Sequence, residues 1–293
     1  MPFPYRGEIK KLNDETREAA GGSCIQLPGG VTHYELLNPH IDSTVIMVHG
    51  FSVPSFIFDP TFKFLAQSGF RVMRYDLFGR GFSDRPGARY DIDLFVQQLS
   101  DLLDALRITS PVNLIGLSMG GPITATLTAN HPERVRSLTL IDPTGARSIS
   151  LNPLIRLAKV PLVAETVFGL MGTEGLVRSA GRDFYDPKMI GHFIDKFRVQ
   201  MEYEGFKRAL LSSVRNNMLG SFVKTYERVG SMDKPVLLVW GRMDATVPFE
   251  HSEDLRAAMP NAELHVIENC GHIPHYEKPD EFNPILLDFL RKI

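Results

Sequence analysis

The sequence predicts an α/β protein: a doubly wound, mostly parallel sheet with helices on both faces and a helical insertion near its middle. Three observations predict it. Short, nearly continuous apolar runs alternate with amphipathic segments, the rhythm of strands covered on both faces by crossover helices. That rhythm stops after Ile141 and resumes at Lys234-Pro235, with only helical periodicity between. A glycine-rich hexapeptide, Gly116–Gly121, joins one apolar run directly to a helix-like segment.

The elements follow in order. Ser23–Leu27 and Val31–Leu37 flank a Pro28-Gly29-Gly30 turn and read as an antiparallel hairpin at one edge of the sheet. Thr44–Val48, Phe70–Tyr75, Val112–Gly116, Val135–Ile141, Val236–Trp240 and Glu263–Ile267 are the remaining strands. Between them, Ile92–Leu106 spaces Leu94, Phe95, Leu99, Leu102, Leu103 and Leu106 for one helix face, and Phe282–Leu290 does the same near the end of the chain. In the insertion, Leu154–Val163, Val167–Met171, Met189–Met201 and Phe206–Met218 read as helices rich in Leu, Val, Phe and Met. The expected division is a core of residues 1–145 and 231–293 interrupted by a helical subdomain, 146–230. An insertion there sits at the carboxyl edge of the strands, where open α/β sheets bind ligands.

Composition narrows the function. The 293 residues carry 32 Lys plus Arg against 34 Asp plus Glu, a net charge of −2, without the basic excess expected of a protein that tracks nucleic-acid phosphates. The two cysteines, Cys24 and Cys270, cannot build a disulfide framework and form no CxxC zinc pair. The charged N-terminal stretch lacks the apolar core of a signal peptide, and no apolar run approaches the ~20 residues that cross a bilayer. The expectation is a soluble, cytoplasmic protein with a small-molecule substrate, no nucleic-acid partner and no integral membrane segment.

The chemistry is expected at the ends of the strands. Gly116-Leu117-Ser118-Met119-Gly120-Gly121 reads as a tight strand-to-helix turn that holds Ser118 in a strained, exposed position, with glycines where the two backbones approach. A serine hydroxyl is a weak nucleophile and needs an adjacent base oriented by a carboxylate. His272, in the loop after the last strand, is the candidate base, with His275 and His192 as lesser rivals. Asp244, after Val236–Trp240, is the candidate acid; Asp142, after Val135–Ile141, meets the same order criterion and is its rival. The two oxyanion donors are expected to be the backbone N–H groups of Met119 and Phe51. His49 is expected to shape the Phe51 loop rather than act as a base. Candidate substrate contacts are Gly50, Ser52 and Val247 on the core loops and Phe168, Met171 and His192 in the insertion.

The series HGF, YDLFGRGFSDRP, GLSMGG, GRMDATVP and NCGH resembles the α/β-hydrolase superfamily over roughly Ser23 to Lys292. It is most similar to the cap-bearing branch with carboxylesterases, monoacylglycerol-lipase-like enzymes and meta-cleavage product (C–C bond) hydrolases. The resemblance implies an eight-stranded sheet, a helical cap, no metal or organic cofactor, a Ser118–Asp244–His272 triad, and scaffold roles for Asp76 and Arg80. Ser118 stands where the epoxide hydrolases and haloalkane dehalogenases of this architecture place Asp. The loop His49-Gly50-Phe51-Ser52-Val53-Pro54 also departs from the glycine-rich HGGPG-type loop usual in C–C hydrolases and proline iminopeptidases. With an apolar insertion, the leading expectation is a carboxylesterase for uncharged short- to medium-chain or aromatic esters. The alternatives are a C–C bond hydrolase and, in a different class, a non-catalytic ligand-binding protein on the same fold.

Overall fold

The computed structural model describes residues 5–149 and 163–293; inside the helix Val163–Gly181 the side chains of 163–165 and 167–172 are not described. The expected helix Leu154–Val163 therefore lies, Val163 apart, outside the described residues. The eight strands are β1 Ser23–Leu27, β2 Gly30–Leu37, β3 Thr44–Val48, β4 Arg71–Tyr75, β5 Val112–Leu117, β6 Val135–Ile141, β7 Val236–Gly241 and β8 Glu263–Ile267. They form one sheet in the order β1-β2-β4-β3-β5-β6-β7-β8. β2 pairs antiparallel with both neighbours, and the pairs from β4 through β8 are parallel. Chain order reverses at β3, which lies between β4 and β5. The crevice outside the carboxyl ends of β3 and β5 is the topological switch point where such sheets bind ligands.

Side-chain alternation splits the core into two layers. Val45 and Met47 of β3, Ile115 and Leu117 of β5, and Leu237 and Val239 of β7 point into one layer. Ile46 and Val48, Leu114, Leu238 and Trp240 point into the other. Phe62 and Leu65 of the helix Asp59–Gln67 and Phe282, Leu286 and Phe289 of Pro279–Lys292 cover the first face. Ile92–Ala105, capped by Asp91 accepting the Leu94 N–H at 3.1 Å, covers the second together with Gly120–Asn130 and His251–Ala258.

Between β6 and β7 the described elements are Val163–Gly181, Ile190–Met201, Phe206–Arg215 and Val223–Gly230. Phe206–Arg215 stops three residues short of the expected end because the chain turns at Asn217, whose φ is +63°. The apolar stripe of this segment is structural. Phe193, Phe197, Met201, Phe206 and Leu210 are buried in the first layer, and Met218 in the second. An N-terminal strap that composition did not reveal is docked here: Glu8 accepts the N–H groups of Gly205 and Lys207, both at 2.7 Å, and caps the helix that starts at Phe206. No helix among the described residues is long and apolar enough to cross a membrane.

The loops after β3 and β4 are tied together by buried polar groups. Asp76 Oδ1 accepts from the Ser55 N–H at 2.9 Å and the Ser55 hydroxyl at 2.7 Å. Its Oδ2 accepts from the Phe82 N–H at 3.0 Å and pairs with His33 Nδ1 at 2.9 Å. Arg80, fully buried, donates to the carbonyl of Phe51 at 2.8 Å and to the Ser213 hydroxyl at 2.9 Å, joining the β3 loop to the inserted helices. Removing one partner of such a network leaves the others unsatisfied. Asp76→Ala is expected to lower unfolding free energy by about 3–5 kcal/mol, read as a fall in the urea midpoint at unchanged m.

Candidate active site

The turn after β5 is set by a steric limit. A Cβ on Gly120 would stand 2.1 Å from the Val48 carbonyl, and one on Gly116 would stand 2.5 Å from the Gly120 carbonyl. Only glycine lets the helix start this close to the strands. The Ser118 backbone is held at φ +52°, with its N–H on the Ile141 carbonyl at 2.9 Å and its carbonyl accepting from Gly121 at 2.9 Å and Thr144 at 3.1 Å. A non-glycine residue at positive φ is strained, and here it is fixed from three sides. Ser118 lines a cavity of about 120 Å³ with His272, Gly50, Ser52 and Phe51.

His272 lines this cavity and is bonded to the buried Asp244 behind it. His272 Nδ1 lies 2.7 Å from Asp244 Oδ2, and Asp244 Oδ1 accepts the N–H groups of Thr246 at 2.7 Å and Val247 at 2.9 Å. These bonds leave the carboxylate no rotational freedom. The imidazole is fully buried. Burial opposes its charged form, but the Asp244 carboxylate, its hydrogen bond and the neighbouring Asp183 outweigh burial and raise its pKa above the ordinary histidine value.

Asp142, the rival acid, sits beside this pair rather than in it. Its φ is +41°, and its Oδ1 accepts the Gly241 N–H at 2.9 Å. Its Oδ2 is buried without a donor. Burial first, and then the negative charge of Asp244, push its pKa well above the ordinary carboxylate value, which favours its neutral form. Ligand atoms of Asp142, Asp244 and His272 fall within 4.8 Å of one another, the spacing a cation would need. Within that group His272 Nδ1 is already bonded to Asp244 Oδ2.

The other expected residues are placed as follows. Met119 is fully buried at the start of the helix Gly120–Asn130, and Phe51 is on the cavity wall. Neither backbone N–H has a partner among the described residues, which leaves both available as donors. Val247 is buried and serves Asp244 through its N–H; it does not line the cavity. His192 is exposed on Ile190–Met201 and away from the cavity, so it is removed from the candidate contacts. The side chains of Phe168 and Met171 lie outside the described residues. His275 is buried against Phe58 and Phe282, and burial pushes its pKa down to about 3. His49 accepts the Leu77 N–H on Nε2 at 2.9 Å, bonds the Gly50 carbonyl through Nδ1 at 3.0 Å, and is pushed down to about 4 by burial. Both rings are neutral scaffold. Cys270 is buried, and burial pushes its thiol above the ordinary range, away from nucleophilic chemistry.

Sequence reasoning missed Asp183. The described part of the insertion presents Ser179, Ala180 and Asp183 to the cavity. The apolar residues of the described later helices, Phe193, Phe197, Met201, Phe206, Leu210 and Met218, pack into the core instead, and those expected at 154–171 lie, in whole or in their side chains, outside the described residues. Asp183 sits in a short irregular turn after Val163–Gly181. No local pattern marks it, and only the fold brings it to His272.

Comparison with known proteins gives the following. The Alpha/beta hydrolase family matches residues 45–285. A protein of Dechloromonas aromatica named 2-hydroxy-6-oxononadienedioate/2-hydroxy-6-oxononatrienedioate hydrolase 1 is 32% identical, over 93% of this chain and 96% of its own. A Klebsiella pneumoniae protein named as the same kind of hydrolase is 31% identical, over 85% of this chain and 87% of its own. A variant of the meta-cleavage product hydrolase of Pseudomonas fluorescens IP01 superposes with a TM-score of 0.75 at 24% identity, over 92% of this chain and 98% of that one, a likeness of fold.

The electrostatics above make a direct prediction. Followed by NMR, the His272 imidazole should titrate above the ordinary value of 6.5. In Asp244→Asn the charge that favours imidazolium is gone, burial prevails, and the titration should move below that value.

Proposed function

We propose that this chain, which belongs to the alpha/beta hydrolase family, is a serine hydrolase that forms an acyl-enzyme on Ser118. One observation carries the reading: Ser118 is held at positive φ on the wall of a cavity shared with His272, whose Nδ1 is bonded to a fixed Asp244. In this mechanism His272 takes the Ser118 proton as Oγ attacks the substrate carbonyl. The oxyanion is held by the N–H groups of Phe51 and Met119. The bond from the acyl carbon to the leaving group breaks, the leaving group takes the proton from His272, and water activated by the same imidazole releases the acid. Asp244 orients the ring and stabilises its charged form. In this reading residues 1–145 and 231–293 are the catalytic core, and 146–230 are a cap over Ser118.

The comparisons favour carbon–carbon bond cleavage over the carboxylic ester that the sequence put first, because the Dechloromonas aromatica and Klebsiella pneumoniae relatives are both named for 2-hydroxy-6-oxononadienedioate hydrolysis. In that reaction the leaving group is a carbon whose electron pair is taken up by a conjugated carbonyl. The departure of the His49–Pro54 loop from the glycine-rich pattern weighs less than these whole-chain matches. The ester is the second reading. It is supported by a cavity wall that, among the described residues, offers Asp183 and no arginine or lysine.

Two assays separate the readings. A meta-cleavage dienol substrate, followed by loss of its chromophore, should give a kcat/KM at least ~100-fold above that of any p-nitrophenyl ester of two to ten carbons, a gap of about 2.7 kcal/mol. The reverse order would assign the chain to esters. In either assay Ser118→Ala should lose at least about a thousandfold in kcat.

A further inference from the structure

Asp183 bridges two loops of the candidate site. Its Oδ1 accepts the Thr246 hydroxyl at 2.6 Å, beside the acid Asp244. Its backbone carbonyl accepts the His272 N–H at 2.7 Å. Asp183 also lines the cavity that holds Ser118. Its position at the edge of the substrate space is therefore fixed by contacts from both its side chain and its backbone. Burial raises its pKa above the ordinary carboxylate value, with the charge of Asp244 adding to the rise and the His272 imidazole and the Thr246 hydroxyl opposing it. No lysine or arginine lines the described wall to neutralise it.

We infer that Asp183 is a specificity-determining residue that excludes a carboxylate from the acyl half of the substrate. The inference rests on the Ser118 reading and deepens it. The acyl group transferred to Ser118 is uncharged, whether it leaves a carbon or an oxygen. The relatives named above carry in their names a dioate, a substrate with a second carboxylate. This chain would take the counterpart whose acyl end is a plain alkyl or aryl group. The physical reason is short-range repulsion: like charges a few ångströms apart in a partly desolvated cavity disfavour binding by roughly 10- to 100-fold, and salt screens them little there.

The test uses two esters of matched size, p-nitrophenyl pentanoate and the singly charged p-nitrophenyl hemisuccinate, at pH 8. Asp183→Asn removes the charge, keeps an oxygen to accept from Thr246, and leaves the backbone bond to His272 in place. The wild-type preference for the neutral ester should be ~10- to 100-fold larger than that of Asp183→Asn. Taking the ratio between the two proteins cancels the different intrinsic reactivities of the esters. A merely structural Asp183 would lower both rates together and leave the ratio unmoved, which would overturn the inference. Retained turnover in Ser118→Ala would sink the nucleophile assignment, while the ratio would still decide the role of Asp183. If the wild type turns over neither ester, calorimetric titration of both esters into the wild type and Asp183→Asn reads the same discrimination as binding. Equal affinity ratios there would also overturn it.

Discussion

Between the Val48 carbonyl and the α-carbon of Gly120 there is no room for a methyl group. Everything at the candidate site follows from that approach. It allows β5 to end and a helix to begin within three residues, and the price is a strained Ser118. The same approach sets Ser118 beside Gly50 and Phe51 at the exit of β3, the strand where chain order reverses. Sheet topology thus selects the place, and glycine at two positions makes the place usable. The backbone of Phe51 is in turn fixed by Arg80, whose buried guanidinium also holds the inserted helices through Ser213.

Three carboxyl groups lie around His272, and their surroundings divide the work. Asp244 is satisfied by two backbone N–H groups and the imidazole, as a buried carboxyl must be. Asp142 accepts one N–H and has a second oxygen without a donor, so burial and the neighbouring charge raise its pKa and favour the neutral form. Asp183 accepts the Thr246 hydroxyl and lines the cavity, where in the proposed role its charge meets whatever enters. Residue type is the same in all three; the number of donors and the access to solvent decide what each can do.

Much of this was legible in the chain before folding. β3, β5 and β7 are buried on both faces and read as nearly continuous apolar runs, and the Pro28-Gly29-Gly30 turn marked the antiparallel edge. The positions of Ser118, Asp244 and His272 at strand ends were readable because short loops keep a residue near the strand it follows. What could not be read was decided by contacts between distant segments. Periodicity identified the apolar faces of Ile190–Met201 and Phe206–Arg215, but not that the core would consume them. Asp183 has no periodicity at all; it matters because the chain after Gly181 turns against the Thr246 and His272 loops. The helix Asp14–Ala20 did carry a local signal, the reciprocal Asn13 and Thr16 cap, within a segment read mainly for its charge.

The central claim is that the strained turn presents an activated Ser118. Intact-protein mass spectrometry after treatment with a fluorophosphonate tests it most directly. The account predicts one phosphonyl adduct per chain, mapped to the peptide containing Ser118 and absent from Ser118→Ala. An unmodified wild-type chain, or an adduct that persists at another residue in Ser118→Ala, would contradict it.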